Sequence, residues 1–265
     1  MTLRKLKSFL YSWLLSKNKR IVPTTKSSTL TDFFSMIRPL NSGMPLIRLG
    51  AEGDGGYLVP DDLDGIEACF SPGVSSIATF ELAFAERGIP CFLADFSVDH
   101  APVTHSLIHF DKKFLGINND DVYMRIDDWV KEKSPNSQNG ILQMDIEGAE
   151  YEILFDISEE ILKKFRIIII EFHHLDKLMI EGEFKLLSLV FNKISRYFDV
   201  VHIHPNNCEQ AYNYNGFAIP PIMEFTFLRK DRMLQRTQIT SFPHPLDRKN
   251  VPDLEDVILP KTWWL

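Results

Sequence analysis

Four consecutive isoleucines, Ile167 to Ile170, follow Arg166 and give way at once to Glu171-Phe172-His173-His174. An unbroken β-branched run is the pattern of a strand buried on both faces, and such strands belong to parallel sheets sandwiched between helices. A related pattern stands upstream. The run Ile141-Leu142-Gln143-Met144 is too brief for a helix and ends in Asp145, Glu147 and Glu150 around Gly148. It reads as a second buried strand, with helical spacing resuming at Tyr151, Ile153, Leu154 and Ile157. Two parallel strands that end in charge deliver those side chains to one rim, where open α/β sheets bind ligands. Acids are costly to bury unpaired, so something must compensate them. Glu147 and Glu150 also suit a helix N-terminus, where negative charge is stabilised.

The chain before this pair reads as a nucleotide-type βα unit. Ile66 to Phe70 predicts a strand, Ser71-Pro72-Gly73-Val74-Ser75-Ser76 a small-residue turn, and Ile77 to Arg87 a helix closed by Gly88. Only Gly73 represents the three-glycine fingerprint of dinucleotide folds. The next strand, Pro90 to Phe96, carries Asp95 at its end. That is about twenty residues past the turn, the distance at which an acid accepts hydrogen bonds from ribose hydroxyls. A turn Asp satisfied by its own backbone is the alternative. Met44 to Gly50 leads into Ala51-Glu52-Gly53-Asp54-Gly55-Gly56-Tyr57, a hairpin turn or a ligand-contacting loop. The pattern further predicts a third strand over His109 to Leu115 and helices over Tyr123 to Lys133, Tyr151 to Phe165 and Glu181 to Phe198. Strands are expected at Asp199 to His204 and, antiparallel to the rest, Ile222 to Arg229.

The 265 residues suit one large α/β domain, expected over 43–232, with a helical appendage (1–42) and a docking tail (233–265) ending in Trp263-Trp264. A net charge of −7 argues against a dedicated nucleic-acid binder. Cys69, Cys91 and Cys208 have no metal-finger spacing, and sparse cysteine fits a reducing cytoplasm. His100, His105 and His109 match no ligand spacing. Residues 1–20 carry Arg4, Lys5, Lys7, Lys17, Lys19 and Arg20 without an acid, around Phe9 to Leu15. That apolar run is too short to span a bilayer. It predicts either an amphipathic helix lying on a membrane surface or a helix packed on its own domain or a partner subunit.

With these residues assembled, the chain resembles the FkbM family of S-adenosylmethionine-dependent methyltransferases, especially members that methylate sugar hydroxyls. The resemblance rests on RLGAEGDGGY (48–57), SPGVSSIATFE (71–81), Asp95, MDIEGAEYEIL (144–154), IIEFHHL (169–175) and IPPIMEFTFLRK (219–230). Its first turn, Ser-Pro-Gly-Val-Ser, departs from the Gly-rich loop common in such enzymes. The resemblance implies a class I Rossmann-like sheet, mostly parallel with an antiparallel last strand, and adenosylmethionine across the first two strand ends. Ser71, Gly73 and Ser75 would approach its methionine and ribose portions, and Asp95 with Phe96 the ribose. Asp54, Gly55 and Glu81 would meet the amino-acid end. His173 is the expected general base, with His174 as substitute. Asp145 and Glu171 would orient it or hold a magnesium or manganese ion. The expected acceptor is a nucleotide-linked sugar or polysaccharide precursor, and a homo-oligomer is compatible. A nicotinamide-dependent sugar oxidoreductase or epimerase is opposed by the missing fingerprint and the absence of a Tyr-xxx-Lys pair. A non-catalytic sugar- or membrane-associated module is the remaining alternative.

Overall fold

The computed structural model describes residues 3–19, 21–74 and 76–265, with side chains from residue 6 onward. Two helices, α1 (Leu3–Ser16) and α2 (Ser27–Ile37), precede an antiparallel hairpin of β1 (Leu46–Gly50) and β2 (Gly56–Pro60). The central sheet follows: β3 (Ala68–Pro72), β4 (Cys91–Ala94), β5 (Ile108–Asp111), β6 (Gly140–Met144), β7 (Phe165–Phe172), β8 (Phe198–Pro205) and β9 (Met223–Arg229). Helices α3 (Thr79–Ala85), α4 (Ile126–Lys133), α5 (Glu150–Asp156) and α6 (Glu181–Ser195) lie between its strands in sequence.

The seven strands run in the order β8-β9-β7-β6-β3-β4-β5. From β7 through β5 every pairing is parallel, whereas β9 is antiparallel to both neighbours. This is the class I Rossmann-like sheet with an antiparallel last strand. The chain leaves β3 in one direction for β4 and β5 and in the other for β6 and β7. The crevice beyond β3 and β6 is therefore the topological switch point.

The isoleucine run shows why β7 is central. Ile168 and Ile170 enter a core with α2, α4, α5 and α6, whereas Ile167 and Ile169 enter the opposite core with the hairpin and α3. All four are fully buried, each contributing about 1.5–3 kcal/mol by removal from water. Trp263 seals the first core. It is fully buried, its ring centroid lies 4.4 Å from that of Phe34, and its Nε1 donates to the Ala218 carbonyl at 2.8 Å.

Several expected boundaries shift for local reasons. The third strand spans only Ile108–Asp111, because the Lys113 N–H turns back to the Asp111 carbonyl. Phe114–Leu115 pairs separately with Tyr123–Met124, so the expected helix starts at Ile126 rather than Tyr123. The helix expected to run from Tyr151 to Phe165 breaks at Ile157-Ser158. There Ser158 Oγ caps a new turn by accepting from the Ile161 N–H, and Lys193 caps the carbonyl of Phe155. Cys69 and Cys91 are buried free thiols in register on β3 and β4. Among the described residues no helix is long and apolar enough to cross a membrane.

Candidate active site

Gly73 forms the floor of the switch point. Its φ is +90°, and an added Cβ would lie 1.5 Å from the Asp145 carbonyl oxygen. No side chain is tolerated there, because the backbones after β3 and β6 touch. The single glycine of the Ser-Pro-Gly turn thus sits where close backbone approach is needed.

Two cavities meet at this contact, and Gly73 and Asp145 line both. The larger, about 400 Å³, is bounded by Asp95, Ser97, Phe114, Leu115, Tyr123 and Ile146 among others. Its size and mix of apolar walls with few polar groups are those of a small-molecule site. Asp95 is buried at its edge, where Oδ1 accepts from the Ser97 backbone N–H at 2.7 Å and the Ser97 hydroxyl at 2.6 Å. Oδ2 has no partner among the described residues. The turn reading and the ligand reading of Asp95 are therefore compatible, one oxygen serving each. Phe96 turns away to pack on Phe114, with ring centroids 5.6 Å apart, and lines neither cavity.

The smaller cavity, about 50 Å³, is lined by Asp54, Gly55, Tyr57, Glu81 and Gln143 with the two shared residues. The hairpin loop contacts it, as its ligand-loop reading requires. Ser71 does not: it is fully buried beneath, with its hydroxyl 2.6 Å from Gln143 Oε1 and hydrogen-bonded to Glu81. A hydroxyl has one proton to share between these two acceptors, and burial raises the pKa of Glu81. Ser71 positions Glu81 rather than a ligand. Gln143 Nε2 completes the chain by donating to the Tyr57 hydroxyl at 3.0 Å. Ser75 lies outside the described residues.

The charged ends of β6 and β7 converge as their order requires. His173 is buried, its Nδ1 3.0 Å from Glu150 Oε1 and its Nε2 3.6 Å from Glu147 Oε2 and 4.0 Å from Asp145 Oδ1. Glu150 is fully buried and also accepts from the backbone N–H groups of Gly148 (2.9 Å) and Ile146 (3.3 Å). It is a positioning residue that fixes both the loop and the imidazole. Asp145 Oδ1 is buried without a hydrogen-bond partner. Burial raises Asp145 to about 7, partly offset by His173 and reinforced by Glu147 and Glu150. Burial opposes the charged form of His173, but the hydrogen bond and charge of Glu150, with Glu171 and Asp145, outweigh it and raise the group to about 9. An imidazole charged at neutral pH has no lone pair to accept a proton, which weighs against His173 as the resting-state base.

Asp145, Glu147 and His173 bring one ligand atom each within 4.8 Å of one another, the spacing of a cation site. Glu171, the expected second ligand, is not in that set. It is buried, its Oε1 accepts from Asn206 Nδ2 at 2.8 Å, and burial lifts its pKa well above the carboxylate range. His174 is exposed in the left-handed region, with φ +60°, and is not in that set either; its ring lies over Gly148, its centroid 6.5 Å from that of His173. The structure thus brings Asp145 and His173 together with Glu147 and Glu150, and leaves Glu171 and His174 outside this set. A polar Gln143 inside an apolar strand was the unused signal for the Tyr57–Gln143–Ser71 chain.

Residues 109–211 match the family model for the methyltransferase FkbM domain. The match holds Asp145, Glu147, Glu150 and His173, and stops short of Gly73 and Asp95. It covers less than half of the chain and supports a methyltransferase. No curated protein matches the sequence.

Proposed function

We propose that the protein transfers a methyl group from S-adenosylmethionine to a hydroxyl oxygen, the acceptor being a sugar on a nucleotide or polysaccharide precursor. The single observation carrying this reading is that two cavities join at Gly73 and Asp145. The larger suits an adenosine, with Asp95 Oδ2 free for the ribose hydroxyls and Phe114, Leu115, Tyr123 and Ile146 around the base. The smaller, among Asp54, Gly55 and Glu81, suits the amino-acid end. Adenosylmethionine held there would supply an activated methyl group, and Asp145, at the end of β6, lines both cavities.

In this step the acceptor oxygen attacks the methyl carbon, the carbon–sulfur bond breaks, and its electron pair stays on sulfur as a thioether. The hydroxyl proton must leave. Asp145 Oδ1, unpartnered at the junction, is the atom we assign to take it, while His173, held by Glu150 with its Nε2 4.0 Å from that oxygen, balances its charge. A positioned base contributes about 10²–10⁴-fold, and alignment of two bound reactants accounts for much of the rest.

A second reading is favoured by the spacing of Asp145, Glu147 and His173. These three would hold a magnesium or manganese ion, which lowers the pKa of a bound hydroxyl, with Glu150 orienting His173 from behind. Incubation with methyl-labelled adenosylmethionine and a panel of nucleotide sugars and polysaccharide fragments tests both. The expected result is label in an alkali-stable ether that Asp145→Ala lowers at least a hundredfold. Loss on chelation with recovery by magnesium or manganese selects the second reading, and indifference to chelator removes it. Labelled product undiminished in Asp145→Ala overturns both.

A further inference from the structure

Two helices precede the catalytic domain, and only one of them docks. Helix α2 buries Leu30, Phe33, Phe34 and Ile37 in the core. Helix α1 buries none of its large apolar side chains: Phe9 is 69% exposed, Trp13 52%, Leu6 48% and Leu10 45%. At 3.6 residues per turn these four, with the half-buried Leu14, fall on one face, Lys7 and Ser16 flank it, and Ser8 and Ser12 fall opposite. Tyr11 and Leu15 lie on the polar side. The body to which the chain attaches, where Thr25 N–H donates to the Met179 carbonyl at 2.8 Å, gives this face nothing to cover it. The expectation that α1 packs on its own domain is therefore not met.

Charge identifies the occupant. Residues 1–31 carry seven cations and no acid, so the remaining 234 residues carry a net charge of −14. A helix with cations around a leucine and aromatic stripe matches the boundary of an anionic bilayer. There the rings and leucines leave water while the lysine stems reach back to the headgroups. We infer that α1 is a membrane-surface helix that holds the enzyme against anionic lipid, lying in the interface rather than crossing it.

The test uses the full chain and sedimentation with vesicles of phosphatidylcholine alone or mixed 3:1 with phosphatidylglycerol. Binding to the mixed vesicles is expected to exceed binding to the neutral ones and to weaken at 0.5 M salt. Phe9→Ser/Trp13→Ser should lower it at least tenfold without changing the melting temperature or adenosylhomocysteine binding. No sedimentation with mixed vesicles overturns the inference, and so does equal binding by the double variant. A wild-type dimer in solution that the double variant converts to monomer, without vesicle binding, assigns the face to a second copy instead.

Discussion

Replacing Gly73 by alanine probes the contact on which both cavities depend. The new Cβ would lie 1.5 Å from the Asp145 carbonyl oxygen, whereas real Cβ contacts begin near 3.0 Å. The carbonyl must retreat by at least about 1.5 Å, and the nearest atoms are backbone, not the end of a flexible side chain. Positive φ at an alanine adds about 1–2 kcal/mol. Overpacking of this kind typically adds about 1–3 kcal/mol, for a total of roughly 2–5 kcal/mol. At about 2–4 °C per kcal/mol for a large domain, the melting temperature should fall on the order of 10 °C. The retreat also moves Asp145 and the shared wall of both cavities, so adenosylhomocysteine affinity should drop at least a hundredfold in protein still folded at 20 °C. Calorimetric unfolding and titration read the two effects separately. A variant with wild-type melting temperature and affinity within twofold would refute the argument.

Other perturbations address other parts of the account. Asp95→Asn removes the charged acceptor facing the proposed ribose. It should weaken adenosylhomocysteine about 10- to 100-fold, from about 1.5–3 kcal/mol for hydrogen bonds to a charged group, with little change in stability; unchanged affinity would remove Asp95 from the site. Glu224 is buried, and burial raises it to about 8, despite the hydrogen bond from Asn250 and the charge of Arg48. An acid with a raised folded pKa binds more protons folded than unfolded, so wild-type stability should fall as pH climbs from about 4.5 to 8 and level off above. At 1.36 kcal/mol per unit the contribution is at most roughly 5 kcal/mol. Glu224→Gln should flatten that part of the pH profile, and an identical slope in the variant would contradict the assignment. Trp263→Ala should cost about 3–5 kcal/mol in chemical denaturation, and a loss below 1 kcal/mol would mean the tail docks only loosely.

The sheet was legible because its signals are redundant. The isoleucine run and the Gly140–Met144 run each demand burial on both faces, and Ile222 to Arg229 alternates as a strand at an antiparallel position should. Boundaries blurred where one side-chain or backbone bond decides them, as at Ser158 and Lys113. The site was legible where strand direction alone fixes position, which is why Asp145 and His173 meet and Gly73 touches the β6 rim. It was illegible where loop conformation decides. Glu147 sits at φ +57° and His174 at +60°, so the chain past both strand ends leaves the extended backbone whose alternation assigns side chains to faces. No period-2 or 3.6 pattern carries that information.

The most direct measurement is calorimetric titration of the protein with S-adenosylhomocysteine, with and without magnesium. The account predicts stoichiometric binding in the micromolar range or tighter, abolished by Gly73→Ala and weakened by Asp95→Asn. Binding that strengthens with magnesium would favour a cation at Asp145, Glu147 and His173. No heat of binding in either condition, from protein shown to be folded, would contradict the methyltransferase assignment of the two cavities.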